Sequence, residues 1–115
     1  MATFTLEEAE ELMPEVQRLT EAAAQKVEAL LLEGRDLVRD SSEHKALGEV
    51  IQGIINDWAT AIVALGAEVK GLWLVDFDSG QGYYCWKHPE ETLAYFHTYD
   101  AGFSGREPIA AFTLH

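Results

Sequence analysis

The chain has 115 residues, 48% of them hydrophobic, and a formal net charge of −12. That length points to one domain with a modest core, and that apolar content excludes a disordered chain. The acidic excess repels phosphate backbones and anionic lipid headgroups, so nucleic acid and membranes are not expected as partners, whereas a divalent cation or basic ligand is attracted.

The single cysteine, Cys85, has no partner for an internal disulfide, which fits a reducing compartment. The first residues, MATFTLEEAEELM, show neither a basic nor an apolar signal region, and no apolar run reaches membrane-spanning length. A cytoplasmic protein is expected.

In chain order, Thr5 predicts a helix N-cap, with Glu8 completing a capping box. Glu7, Glu8, Glu10 and Glu11 occupy the first turns, where the helix dipole favours carboxylates. Pro14 either ends a short helix near Met13 or kinks a longer one. From Val16, apolar positions recur at Leu19, Ala23, Val27, Leu30 and Leu31, which predicts a helix ending near Gly34. Residues 35–45 read as a polar link. A second helical stripe runs through Leu47, Val50, Ile51, Ile54, Ile55, Trp58, Ile62 and Leu65, with Gly66 as its terminator. The glutamates of the first helix, like Glu43, Glu49 and Asp57, read as solvated faces.

The period then changes from helical to alternating. Residues 72–77 predict a strand, Asp78 to Gly82 a hairpin loop, and Tyr83 to Trp86 the return strand. Lys87 to Thr92, with Pro89, predicts a turn, and Leu93 to His97 a third strand. The expectation is therefore an α+β fold in one domain, residues 1–115. A long antiparallel helical hairpin covers about residues 5–66; a three-stranded antiparallel β-meander and an ordered C-terminal coil cover about 69–115. A three-stranded sheet covers such a hairpin only in part, which predicts a homodimer through the helices. The alternative is a compact monomer with the sheet folded fully onto them.

Alternation sorts the strand residues by face. If Asp78 pairs with Tyr83, then Asp76 lies opposite Cys85 and Phe77 opposite Tyr84. Trp73, Val75, Phe77, Tyr84 and Trp86 form the apolar face for the helices. The third strand can join in either of two parities: one turns Ala94 and Phe96 to the helices, and the other puts Tyr95 and His97 in the core and exposes Phe96. Hydrophobic consistency favours the first, in which the other face gathers Asp76, Tyr83, Cys85, Tyr95 and His97, with Asp100 and Arg106 in a coil able to fold over it.

Carboxylate, thiolate and imidazole are the usual donors for a metal ion, so Asp76, Cys85 and His97 are the candidate ligands, for a divalent cation such as zinc, iron or manganese. Their spacing matches no short ligand motif. Arg106, after a glycine-bounded turn, is a candidate for holding an anion together with Asp100, Tyr95 and Tyr83, or for an internal salt bridge to Asp76 or Asp100. Cys85 as a nucleophile would need an environment that lowers its pKa, and its neighbours are acidic. Two readings follow: a small soluble protein binding a metal or a small anionic ligand on the outer sheet face, or a dimeric structural module without a catalytic site. In the second, Trp73, Trp86, Phe96 and Phe103 would anchor a protein partner.

Several stretches carry a resemblance: Thr5-Leu6-Glu7-Glu8-Ala9, Val69-Lys70-Gly71-Leu72, Leu74-Val75-Asp76-Phe77, Tyr84-Cys85-Trp86, and the run from Tyr95-Phe96-His97 through Asp100-Ala101-Gly102-Phe103-Ser104-Gly105-Arg106 to Ile109. Together they resemble an uncharacterised prokaryotic family, domain of unknown function 2203, over nearly the whole chain and most strongly over residues 69–109. The family's Leu-Cys-Trp strand and Trp-His pair correspond to Tyr84-Cys85-Trp86 and Phe96-His97. Its Gly-Glu-Pro turn becomes His88-Pro89-Glu90, a departure from the pattern. The resemblance implies a small prokaryotic protein and assigns no activity.

Overall fold

Thr5 starts the first helix as its sequence predicts. Its hydroxyl accepts from the Glu8 amide, and the Glu8 carboxylate accepts in return from the Thr5 amide. In this computed structural model, which describes residues 2–110, the helix α1 then runs unbroken over Leu6–Glu33 and ends at the C-cap Gly34. Pro14 lies inside it and points to solvent. Its missing N–H frees the Glu10 carbonyl on an exposed turn, where water can satisfy it, so the proline does not end the helix.

The second helix, α2, spans Ser42–Ala64 and begins earlier than the apolar stripe suggests. The Ser41 hydroxyl accepts from the His44 amide and caps a first turn that has no apolar face of its own. Gly66 follows the C-cap at φ +96°, the left-handed conformation that stops a helix here.

Five strands follow, where alternation predicts three. They are β1 (Glu68–Gly71), β2 (Leu74–Asp78), β3 (Tyr83–Lys87), β4 (Tyr95–His97) and β5 (Glu107–Pro108), in one antiparallel sheet of that order. β1 is four residues long, with one apolar side chain, so it carries almost no periodic signal. Leu72 and Trp73 form the turn between β1 and β2 and are not strand residues; Trp73 sits at φ +58°. The third expected strand shortens to Tyr95–His97. The expected coil contains a 3-10 turn at Phe103–Gly105 and then β5, which pairs Tyr95 with Pro108 and Phe96 with Glu107. Pro108 lacks an N–H, which suits an edge position. The coil expected beyond Ala110 lies outside the described residues.

The central register is the expected one: Asp76 opposes Cys85, Phe77 opposes Tyr84 and Asp78 opposes Tyr83. β4 joins with Tyr83 opposite His97 and Cys85 opposite Tyr95, so His97 falls on the face of Asp76. Val75, Phe77 and Trp86 face the helices and are fully buried with Val16 and Ile62. Each such side chain contributes about 1.5–3 kcal/mol of hydrophobic stabilisation. Trp86 belongs to this core, so it is not free to anchor a partner protein, and Trp73 packs against the core partly buried. Thr20, buried on α1, accepts a 2.8 Å hydrogen bond from the Trp58 indole and ties the two helices at their sheet end.

Gly82, just before β3, lies against the end of β4. A Cβ there would lie 2.5 Å from the Phe96 ring and 2.6 Å from the His97 carbonyl. Gly82→Ala is expected to destabilise the protein by about 1–3 kcal/mol, by forcing β4 away. Gly53→Ala, in mid-helix with open space at its Cβ, is expected to stabilise it by about 0.5–1 kcal/mol. Urea denaturation of the two variants beside the native chain checks both signs.

Candidate functional site

The outer face of a sheet packed on helices is usually the wet one. Here it is not. Asp76 on β2, Cys85 on β3 and His97 on β4 are 1%, 0% and 4% exposed. Asp76 and Cys85 are cross-strand neighbours, and His97 reaches diagonally across β3 to the same carboxylate. One donor atom from each of the three lies within 4.8 Å of the others. Three residues of different chemistry, scattered in sequence, are thus gathered by strand register alone.

The imidazole is held at both nitrogens. Its Nδ1 lies 2.8 Å from the Thr98 carbonyl and its Nε2 lies 2.9 Å from Asp76 Oδ2. Both partners are acceptors. Nδ1–H therefore donates to the carbonyl, and Nε2 can face the carboxylate only with a proton or another cation between them. The other carboxylate oxygen, Asp76 Oδ1, is buried without a hydrogen-bond partner. An orphaned carboxylate oxygen costs roughly 1–3 kcal/mol or more, so its presence calls for an explanation.

Cys85 completes the cluster as a protonated thiol. Burial, and after it the charge of Asp76, push its pKa well above the ordinary thiol range; Arg106 only partly opposes them. A thiol held this way is a poor nucleophile. That removes the support for covalent catalysis by Cys85 acting alone.

Arg106 lies beside the cluster. Its guanidinium is sandwiched between the Tyr95 and Phe103 rings, 4.1 and 4.2 Å from their centres. It makes a two-pronged ion pair with Glu90, at 3.0 and 2.9 Å. Glu90 in turn accepts from the Lys87 amide at 2.8 Å. Neither Asp76 nor Asp100, the partners expected from sequence, pairs with it. The Glu90 contact uses the fork that an anion would need, and it pins the C-terminal segment across the outer face. Asp100 is exposed in the turn after β4 and does not join the cluster.

A pocket of about 240 Å³ opens beside Asp76 and His97, with Lys70, Tyr83, Tyr99 and Phe103 at its walls. Its rim is tied together. Lys70 pairs with Glu68 at 2.9 Å and lies 4.4 Å above the Tyr83 ring. Tyr99 donates to Asp78 at 2.7 Å, a bond that raises its pKa to about 12. Glu68, Lys70, Glu90 and Tyr99 are site residues that sequence reading missed. The first two sit on the unrecognised strand β1, and Glu90 sits in the turn that departs from the family pattern.

This burial gives a direct expectation. Alkylation of Cys85 by iodoacetamide in the native protein at pH 8 should be about a hundredfold slower than in the urea-unfolded chain. Mass spectrometry of timed samples reads the rate, and equal rates would contradict the buried, protonated thiol.

No curated protein and no solved structure matches this chain. The model of a family described as an uncharacterised conserved protein, domain of unknown function 2203, matches residues 2–109, and the chain belongs to that family.

Proposed function

We propose that this protein binds one transition-metal ion through Asp76, Cys85 and His97. The observation that carries the reading is the buried carboxylate with one orphan oxygen, facing an imidazole nitrogen that needs a proton or a metal ion between them. The Nδ1–H bond from His97 to the Thr98 carbonyl is the outer contact that metal-binding histidines use to present Nε2. A metal ion takes the place of the proton at Nε2 and of the proton on the thiol, and it gives the orphan oxygen a partner. The mixed nitrogen, sulfur and oxygen set suits zinc or ferrous iron better than manganese, and excludes magnesium and calcium, which take oxygen donors.

Three protein ligands leave one position of a tetrahedral ion free, as in zinc sites that do chemistry. Asp76 and His97 line the 240 Å³ pocket, so that position would face a space able to hold water or a small ligand. The alternative of a purely structural module gains nothing from burying these three groups, because apolar residues there would pack at lower cost.

Metal-free protein titrated with cobalt(II) or zinc(II) is expected to take up one equivalent per chain, and cobalt should give a thiolate charge-transfer band in the near ultraviolet. Cys85→Ser should abolish that band, and His97→Ala should weaken binding by at least 10–100-fold. Since the thiol must lose its proton, and its pKa is held up by burial and Asp76, binding releases protons and tightens as pH rises. A folded native protein that takes up no stoichiometric metal at pH 8 rejects the proposal.

A further inference from the structure

The helical hairpin has a second unsatisfied surface, far from the sheet. The chain extends 55 × 25 × 23 Å, with a radius of gyration of 16.3 Å, against roughly 13 Å for a globular chain of this length. The excess comes from a helical arm that outruns the sheet. Over residues 42–57, α2 carries Leu47, Val50, Ile51, Ile54 and Ile55, of which Val50 is exposed and the other four are only half-buried; its fully buried residues begin at Trp58. Val50 is 53% exposed, and at the tip Leu31 and Leu32 of α1 are each 57% exposed.

One flank of the arm has the form of half a helix bundle. A groove of about 290 Å³ runs between the helices, with Leu19, Ala22 and Lys26 on the α1 wall and Ile54, Asp57 and Ala61 on the α2 wall. These positions recur at helical spacing, and Val50 extends the α2 row by one turn. The flank is roughly 30 Å long and about two helices wide. That approaches the ~800 Å² per partner of a stable interface.

Charge indicates what covers it. Five of the eight basic residues, Arg18, Lys26, Arg35, Arg39 and Lys45, lie between residues 18 and 57, where the net charge is −3 against −12 for the chain. Two copies therefore repel least through this arm. The α1 wall is basic through Lys26, since Arg18 is already paired with Glu15 on its own helix, and the α2 wall is acidic through Asp57. A two-fold rotation sets each wall against the opposite one of its mate. Among the described residues, Lys26 and Asp57 have no ion pair within the chain.

We infer that this flank binds the same flank of a second copy, closing an antiparallel four-helix bundle in which α1 of each copy faces α2 of the other and the two sheets lie at the same end. The inference is independent of the metal reading, because the arm shares no residue with the cluster.

Light scattering at tens of micromolar, which reads mass independently of the elongated shape, is expected to give twice the 12.8 kDa chain mass. Val50→Glu is expected to raise the dimer Kd at least tenfold while leaving the helical circular dichroism unchanged, since Val50 contributes little to the monomer. Lys26→Glu and Asp57→Lys should each weaken the dimer, and the two together should restore it. A native chain at monomer mass overturns the inference. So does a dimer indifferent to Val50→Glu, or a double charge reversal no better than either single one.

Discussion

The contact on which the outer face depends is the one between His97 and Asp76. It joins β4 to β2 across the intervening β3, and it is buried on a side of the sheet that no helix covers. A charged or chargeable pair in that position cannot be left bare to water without losing its low-dielectric surroundings, nor left dry without partners. The C-terminal segment resolves the conflict. It crosses the face, adds β5 to the sheet edge, and is held by Arg106 between two aromatic rings and the Glu90 carboxylate. The close approach at Gly82, the turn that carries Glu90 and the tail all serve to keep three side chains dry.

How much of this was legible in the sequence divides along physical lines. Alternation over residues 75–78 and 83–86 set the register of β2 and β3. Aligning Phe96 with the apolar face then put His97 beside Asp76 and Cys85, because a strand slip of one residue would have exposed the phenylalanine. Thr5, Gly34 and Gly66 marked helix ends through capping chemistry that is local and therefore readable. β1 and β5 were not readable. Glu68–Gly71 and Glu107–Pro108 become strands by pairing with a neighbour already in place, and their own side chains carry no period. The same gap hid Glu68 and Lys70 at the pocket rim. The Arg106–Glu90 pair spans sixteen residues and a turn, and nothing in the local pattern favours Glu90 over the many other carboxylates of so acidic a chain. Pro14 was ambiguous because its effect depends on whether the freed carbonyl reaches water, which only packing decides.

Both ends of the molecule show the same imbalance between what the chain could bury and what it does bury. At the sheet end, polar groups are buried beyond what the fold needs. At the helical tip, apolar groups stay exposed beyond what solubility favours. A single chain optimised only for stability would exchange the two, placing leucines under the tail and charges along α2. The arrangement is opposite, and each half then points to something outside the monomer.

The sheet end makes the stronger argument, because the cost there can be stated atom by atom. Replacing Asp76, Cys85 and His97 with apolar residues of similar volume would remove an orphan carboxylate oxygen, a buried carboxylate–imidazole contact and a buried thiol at once; buried polar clusters exchanged in this way often gain about 1–4 kcal/mol. Partial removal would do the reverse. Without His97, Asp76 Oδ2 would lose its buried hydrogen-bond partner; without Asp76, His97 Nε2 would lose its own. The three residues therefore stand or fall as a set. A set that is worse than its apolar equivalent in the isolated chain becomes favourable once a cation adds its binding energy to the folded state, since a ligand that binds only the native form stabilises it in proportion to its concentration over its Kd. The geometry of the cluster is thus better accounted for by the proposed bound cation than by what the three residues contribute to folding.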